Sequence, residues 1–383
     1  MPGYITHSVR LLAVPLLLAG MAGGVAPSAA SAAKAGIAGT AVPFRISGNL
    51  YGVAATSASS AWAVGYGGSL TSPKPLIVHW NGTSWKQAPN PAPAGTTLAG
   101  VAATSATNAW AVGSTSTGKA LIERWNGTAW AQVPAPHPGS FSSLSGVAAV
   151  SASSAWAVGS TSTGGSPKTL ILRWNGAAWK QVPSPSPAGG AGLAGVAADS
   201  AGNAWSVGFT GPITKTLILR WNGTAWKQVA SPSPEFPNPD TLRGVAAVSA
   251  SSAWAVGCTT CATPSGFNGP LIEGWHGKAW AQTPSPGLGA PGGILAGVAA
   301  LSATSAWAVG GTVNGVGASA AITTLIAQWN GVKWTRVPSP TPGGRAALSA
   351  VAAVSATSAW AVGNVGAGKT LIERWNGTAW KVS

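Results

Sequence analysis

The string L-I-E-R-W-N-G-T-A-W at 121–130 constrains this chain more than any other feature. It recurs with substitutions at 76–85, 170–179, 217–226, 271–280, 325–334 and 371–380, always ten residues long. A second string, S-A-W-A-V-G or a close relative, precedes each copy. Its Trp falls at Trp62, Trp110, Trp156, Trp205, Trp254, Trp307 and Trp360, at spacings of 48, 46, 49, 49, 53 and 53 residues. Seven units with three Trp each account for all 21 Trp of the 383-residue chain. A repeat of about 50 residues is one supersecondary unit, which buries its apolar faces only by stacking on its neighbours.

Each unit divides into four short strand candidates. In the third unit they are Gly146-Val147-Ala148-Ala149-Val150, Ala155-Trp156-Ala157-Val158-Gly159, Leu170-Ile171-Leu172-Arg173-Trp174 and Trp179-Lys180-Gln181-Val182. Apolar runs this short, bounded by Gly, Pro, Ser and Asn, argue strand, and nowhere does an apolar pattern keep a helical period over three turns. The first strand is small (Gly, Val, Ala) and the later ones carry the Trp. That gradient suits radial packing, with little room at the centre and a widening gap between outer strands. The expectation is an all-β fold, a seven-bladed β-propeller of four-stranded antiparallel blades spanning 48–383. Its repeated Trp then serve chiefly as packing between blades. The competing use is sugar stacking by some of them.

The turns agree. W-N-G-T-A-W joins strands three and four through Asn-Gly, a strong hairpin signal. Asn81, Asn126, Asn222 and Asn376 also satisfy the glycosylation sequon, but the turn already accounts for Asn-Gly. The fourth strand runs into Pro-rich tracts such as 183–187, and Pro and Lys on an outer edge discourage pairing with other chains. Thr40-Ala41-Val42-Pro43 echoes the fourth-strand ending Gln132-Val133-Pro134, so the lead-in 33–47 is expected to pair with or reinforce the last blade.

Charge and address narrow the function. Lys and Arg total 21 against 6 Asp and Glu, a net charge of +15. So few acids and His leave little material for acid/base chemistry. Residues 1–32 read as a secretory signal, with Arg10 closing a basic segment, an apolar run from Leu11 to Val25, and a small-residue cleavage site at Ala30-Ser31-Ala32. The alternative is an uncleaved anchor. Cys258 and Cys261 form C-T-T-C. In an oxidising compartment this reads as a local disulfide, the alternative being a redox pair. No cofactor or metal is expected.

The order of small first strand, second strand ending in Gly, variable loop and Trp-bearing outer strands resembles the kelch and galactose-oxidase-like propellers from Leu50 to Ser383. It departs from kelch in having Ala111-Val112-Gly113 where that family commonly has a Gly pair. The copper site of galactose oxidase has no counterpart here. Tyr51 and Tyr66 are the only Tyr after processing, and His79, His137 and His276 match nothing in it. The 121–130 hairpin is also similar to the Asp-box of sialidase-type propellers, with Gly127 three residues before Trp130. Glu123, Trp125 and Ala129 replace the residues of that box, so the likeness implies architecture without chemistry.

Antiparallel strands place loops one-to-two and three-to-four on one face of the disc and loops two-to-three and four-to-one on the other. The first pair keeps its length in all units, whereas the second varies, and variable loops on a rigid scaffold are the usual place for binding. Two candidate sets fall there. Lys74, Lys119, Lys168, Lys215 and Lys369 share one repeat position, two residues before the third-strand Leu. They form either a ring for an anionic partner or a solvated rim. Phe44, Tyr51, Tyr66, Phe141, Phe209, Phe236 and Phe267 form either a stacking platform or plugs that fix loops to the disc. Arg124, Arg173, Arg220 and Arg374 precede the middle Trp and are expected to stack on an indole.

A carbohydrate-active enzyme would draw on Glu235 and Asp240, with His137 in an equivalent loop, since glycoside hydrolysis uses paired carboxylates. The main expectation is a monomeric, non-enzymatic binding protein. Its partner would be an anionic cell-wall polymer, a polysaccharide or a protein, with no nucleic acid and no membrane span after processing. A lectin with inter-blade Trp pockets is the rival.

Overall fold

The computed structural model describes residues 44, 46–69, 71–211, 214–234, 239–261, 269–285, 287–288, 292–314, 321–366 and 368–383. Their 28 strands form seven separate sheets, each of four antiparallel strands in sequence order. The chain is therefore a seven-bladed β-propeller. Blade three runs Phe141–Ser151, Ser154–Ser162, Lys168–Trp174 and Trp179–Gln181, and the other six repeat it at 48–88, 97–132, 191–229, 241–282, 293–337 and 346–382.

Among the described residues the core is divided between blades. Seven clusters of buried apolar residues are each built from two adjacent blades, and a small eighth joins Cys258, Cys261 and Ile294. Each of the seven centres on three indoles from two blades. Trp156 of blade three meets Trp221 and Trp226 of blade four at ring-centroid distances of 4.9 and 5.1 Å. Trp360 of blade seven meets Trp80 and Trp85 of blade one in the same way, which closes the ring. The second indole is tilted and the third stands edge-on, the arrangement aromatic quadrupoles favour.

Two rings of glycine explain how the inner strands fit. A Cβ on Gly52, Gly100, Gly146, Gly195, Gly244 or Gly297 would lie 2.9–3.2 Å from the next blade's inner backbone. Only in blade seven does the equivalent position carry a side chain, Ala350. Each first strand also holds two unpaired extra residues, and at the first of them, as at Leu50/Gly52, the register shifts beside the glycine of the second strand. That bulge pushes a first-strand carbonyl onto the glycine ending A-W-A-V-G. A Cβ on Gly65, Gly113, Gly159, Gly208, Gly257, Gly310 or Gly363 would come within 1.9–2.0 Å of it.

The third-to-fourth hairpin differs from a two-residue Asn-Gly turn. Trp125 pairs with Trp130, leaving a loop of four residues. Asn126 Oδ1 accepts from Thr128 N–H, Thr128 Oγ1–H and Ala129 N–H at 2.8–3.0 Å, and Gly127 takes a positive φ of 101°. Asn thus works as a side-chain cap and Gly supplies the left-handed residue.

At the ring junction, Phe44 N–H donates to Ser383 C=O, Thr370 N–H to Ile46 C=O and Gly48 N–H to Gly368 C=O, at 2.7–3.1 Å. Phe44 and Ile46 pack on the seam between blades seven and one. Thr40–Pro43, and residues 1–32 expected to be a secretory signal, lie outside the described residues. Among the described residues no helix is long and apolar enough to cross a membrane.

Candidate ligand-binding face

The two faces of the disc carry different chemistry. On the face of the constant turns, most polar groups pair internally, Ser154 Oγ and Ser358 Oγ being buried exceptions. The middle Trp of each blade donates its indole N–H to an Ala carbonyl in the first turn, as Trp174 does to Ala152 at 3.1 Å. Arg124, Arg173, Arg220 and Arg374 each lie over two indoles, 4.9–5.4 Å from the ring centroids. Arg220 also donates to Ala250 C=O of the next blade at 3.2 Å. Blade one has His79 at this position, 4.1 Å from Trp62. Blade five has Gly274, and His276 folds into the space a side chain would fill.

On the opposite face, Lys74, Lys119, Lys168, Lys215 and Lys369 are all exposed. The third strands start earlier than their apolar residues suggest, and Lys168, Lys215 and Lys369 are their first residues. The following Thr is buried and ties down the Pro-rich linker. Thr169 Oγ1 donates to Pro185 C=O, and Thr324, in blade six, to Pro340 C=O. The repeat thus buries one hydroxyl and leaves the preceding amine in solvent. Blades five and six interrupt the ring, with Gly269 and Thr323 where it would have Lys. Lys74 also borders a shallow open depression of about 360 Å³, shared with Pro75, Gln87 and Asn90.

The aromatic set is more deeply placed. Tyr66 is 3% exposed, with its ring 5.9 Å from that of Tyr51. Burial raises the pKa of both phenols. Phe141 lies against Gly118 of the neighbouring blade, and Phe209 against Gly192 of its own. These half-buried rings fasten loops to the disc. Phe236 and Phe267 lie outside the described residues, as does Glu235. Asp240 is fully buried, and its Oδ1 accepts from Thr260 N–H at 3.2 Å. His137 is exposed, with Nδ1 3.0 Å from Ala135 C=O. Among the described residues no three His, Cys, Asp or Glu gather as a metal site would require. Cys258 and Cys261 are joined by a disulfide.

Sequence reasoning passed over three acids. Glu123, Glu273 and Glu373 occupy one third-strand position and are fully buried. Both oxygens of Glu373 and Oε1 of Glu273 have no hydrogen-bond partner, and Glu123 is approached by the Ala92 backbone, too poorly placed for a full hydrogen bond. Desolvation raises Glu123 to about 7 and Glu273 and Glu373 to about 8, Ser231 and Asp240 acting on Glu273 in opposite senses. The equivalent residues elsewhere are Val78, Leu172, Leu219 and Ala327, so aligning the repeats would have exposed the anomaly. Arg243, which the sequence groups with Glu235, Phe236 and Asp240 in one loop, stands instead on the innermost strand of blade five, with its Nε buried and unpartnered.

Solved structures share the architecture at low sequence identity. YCF48 bound to D1 peptide superposes with a TM-score of 0.54 at 14% identity, over 88% of this chain and 98% of that one. The BP39L lectin from Burkholderia pseudomallei gives 0.55 at 14% identity, with the same coverage of both chains. YCF48 from Cyanidioschyzon merolae gives 0.52 at 15%, over 86% and 97%. At this identity the likeness establishes the propeller fold alone. No protein-family model matches the chain, and no curated protein matches it. The kelch resemblance therefore stays one of repeat order.

Proposed function

We propose that this chain is a secreted, non-enzymatic recognition protein that binds an anionic polymer or glycan through its variable-loop face. The observation that carries this reading is the set of five lysines at one repeat position, all exposed on one face. A partial ring of amines raises the local concentration of polyanions and speeds their encounter. Cell-wall polymers and acidic polysaccharides have the matching charge. The propeller fold also serves recognition in two structures of similar shape, one a lectin and the other bound to a peptide.

The indoles favour the loop face over inter-blade sugar pockets. All but Trp125 and Trp329 are buried, and each is engaged by other indoles across a seam. A sugar would have to displace packing there, whereas the lysines are already in solvent.

The test is a binding screen of the full chain against glycans and cell-wall polymers, repeated across ionic strength. Binding through the ring should weaken steeply with salt. The triple change Lys74→Ala, Lys119→Ala and Lys168→Ala should reduce it by at least about tenfold, since each exposed contact contributes up to about 1 kcal/mol. Salt-independent binding that survives the triple change would overturn the reading.

A further inference from the structure

The propeller axis carries an asymmetry that the repeat does not require. Each innermost strand has one extra residue at its first bulge: Tyr51, Ala99, Ser145, Ala194, Arg243, Ala296 and Ser349. Five of these are Ala or Ser, as the crowded centre demands. The two large ones stand in blades one and five, across the axis from each other in a ring of seven. Arg243 is the only cation on the seven innermost strands. The one acid there, Asp199, lies at the far end of its strand, by the constant turns, and accepts from Asn203 Nδ2–H at 2.9 Å.

Arg243 is also unlike the other arginines of the blades. Those at 124, 173, 220 and 374 rest on indoles, whereas Arg243 makes no such contact among the described residues. Its Nε is buried with no hydrogen-bond partner. A buried guanidinium N–H left unpaired is costly, so an accepting ligand would recover that loss. Across the axis, Asn49 Nδ2–H donates to Tyr51 Oη at 3.4 Å, while Asn49 Oδ1 is buried and unpartnered. The segment leading to Arg243 is clamped. Cys261 N–H donates to Pro239 C=O, and Thr241 Oγ1 lies 3.2 Å from the disulfide sulfur of Cys261. A charged donor held on a rigid strand needs little ordering on binding.

We propose that the axial channel, at the tier of Arg243 and Tyr51, is a binding site for one carboxylate group borne by a larger ligand. One guanidinium, with no second cation on the innermost strands, matches a monoanion, whose two oxygens fit the planar fork of arginine. A phosphate dianion would call for more cations than this tier provides. The site is distinct from the lysine ring, so either can fail without the other.

The carboxylate has two plausible chemical sources, a uronic acid of a polysaccharide and the free C-terminus of a polypeptide. Arginine side-chain N–H resonances of the full chain would be followed during titration with a galacturonate trisaccharide and with a short peptide. A neutral galactose trisaccharide and the C-terminally amidated peptide serve as controls. The Arg243 Nε–H resonance should shift with at least one carboxylate probe and with neither control. Arg243→Gln should weaken that binding by at least about tenfold, or about 1.4 kcal/mol, and Tyr51→Phe by a smaller factor. Lys119→Ala with Lys168→Ala should leave it within about twofold at fixed ionic strength, because exposed amines remote from the bound group contribute little. Thermal unfolding of Arg243→Gln checks that the propeller is intact. Response to the uronate alone, to the peptide alone or to both supports the site and identifies the source. No shift with either probe, equal shifts with the controls, or undiminished binding by folded Arg243→Gln overturns it.

Discussion

The constant-turn face and the variable-loop face are built by the same seven hairpins, yet they use their polar groups in opposite ways. On the first, Asn side chains cap their own loops, indole N–H groups bond turn carbonyls and arginines lie across two blades. On the second, five lysines reach solvent, and Arg243 Nε and Asn49 Oδ1 are left without partners. The difference teaches that repetition here marks structural duty. A residue that must meet a neighbouring blade at a set depth tolerates no change in spacing, so it recurs in all seven blades. The exposed lysines recur in only five, and Arg243 occurs once.

That contrast is broken most severely by removing an inter-blade indole. Trp156→Ala should cost about 3–5 kcal/mol, as large-to-small changes of buried Trp do, and be seen as a large drop in denaturation midpoint. An unchanged midpoint would mean that the indole triads are not the seams that hold the ring. Gly159→Ala should cost about 3 kcal/mol, at the upper end of overpacking effects, since its Cβ would meet Ser143 C=O. A variant of wild-type stability would show that the bulge relaxes easily.

The buried acids predict a pH effect. Their folded pKa values lie above the usual 4.5, so the folded chain keeps protons that the unfolded chain has released. Their contribution is complete below about pH 4.5 and is lost as pH rises through about 7–8, at up to about 1.4 kcal/mol per pH unit for each Glu. Thermal stability should therefore decline from about pH 5 to pH 8. Glu373→Leu, matching Leu172 and Leu219, should reduce the slope and raise the melting temperature at the upper end. Stability that climbs with pH over this window would contradict the burial of these groups as neutral acids.

Smaller effects distinguish the faces directly. Arg173→Ala should lose about 0.5–1 kcal/mol, the worth of a partly exposed cation–π contact. Lys168→Ala should change stability by less than about 0.5 kcal/mol while weakening polyanion binding. Equal destabilisation by the two would erase the proposed division between structural and recognition faces.

Much of the fold was legible because it is written seven times. The ten-residue spacing between Leu121 and Trp130, and its six copies, mark hairpins. The Gly-Val-Ala run marks the strand that must fit at the axis. The candidate site was legible only in part. Lys74 and its equivalents stand at a fixed repeat position, so their common face followed from strand order. Tyr66 and Phe141 looked like surface additions, but a half-apolar ring can turn onto the disc or away from it, and sequence does not say which. Glu123, Glu273 and Glu373 were hidden because the same alternation serves an exposed strand face and a blade seam. Arg243 stands just before the Gly244-Val245-Ala246 run, so its place near the axis was legible, but the lack of a partner for its Nε was not.

By itself the sequence determined the number of units, the strands in each, and which loops share a face. These depend on local spacing, and alternating strand geometry converts spacing directly into side. Only the tertiary structure decided which blade each indole meets, which acids are denied water, and which polar atoms remain unpaired. Those properties arise when seven sheets are brought round an axis, and a residue's solvation is then set by chain hundreds of positions away.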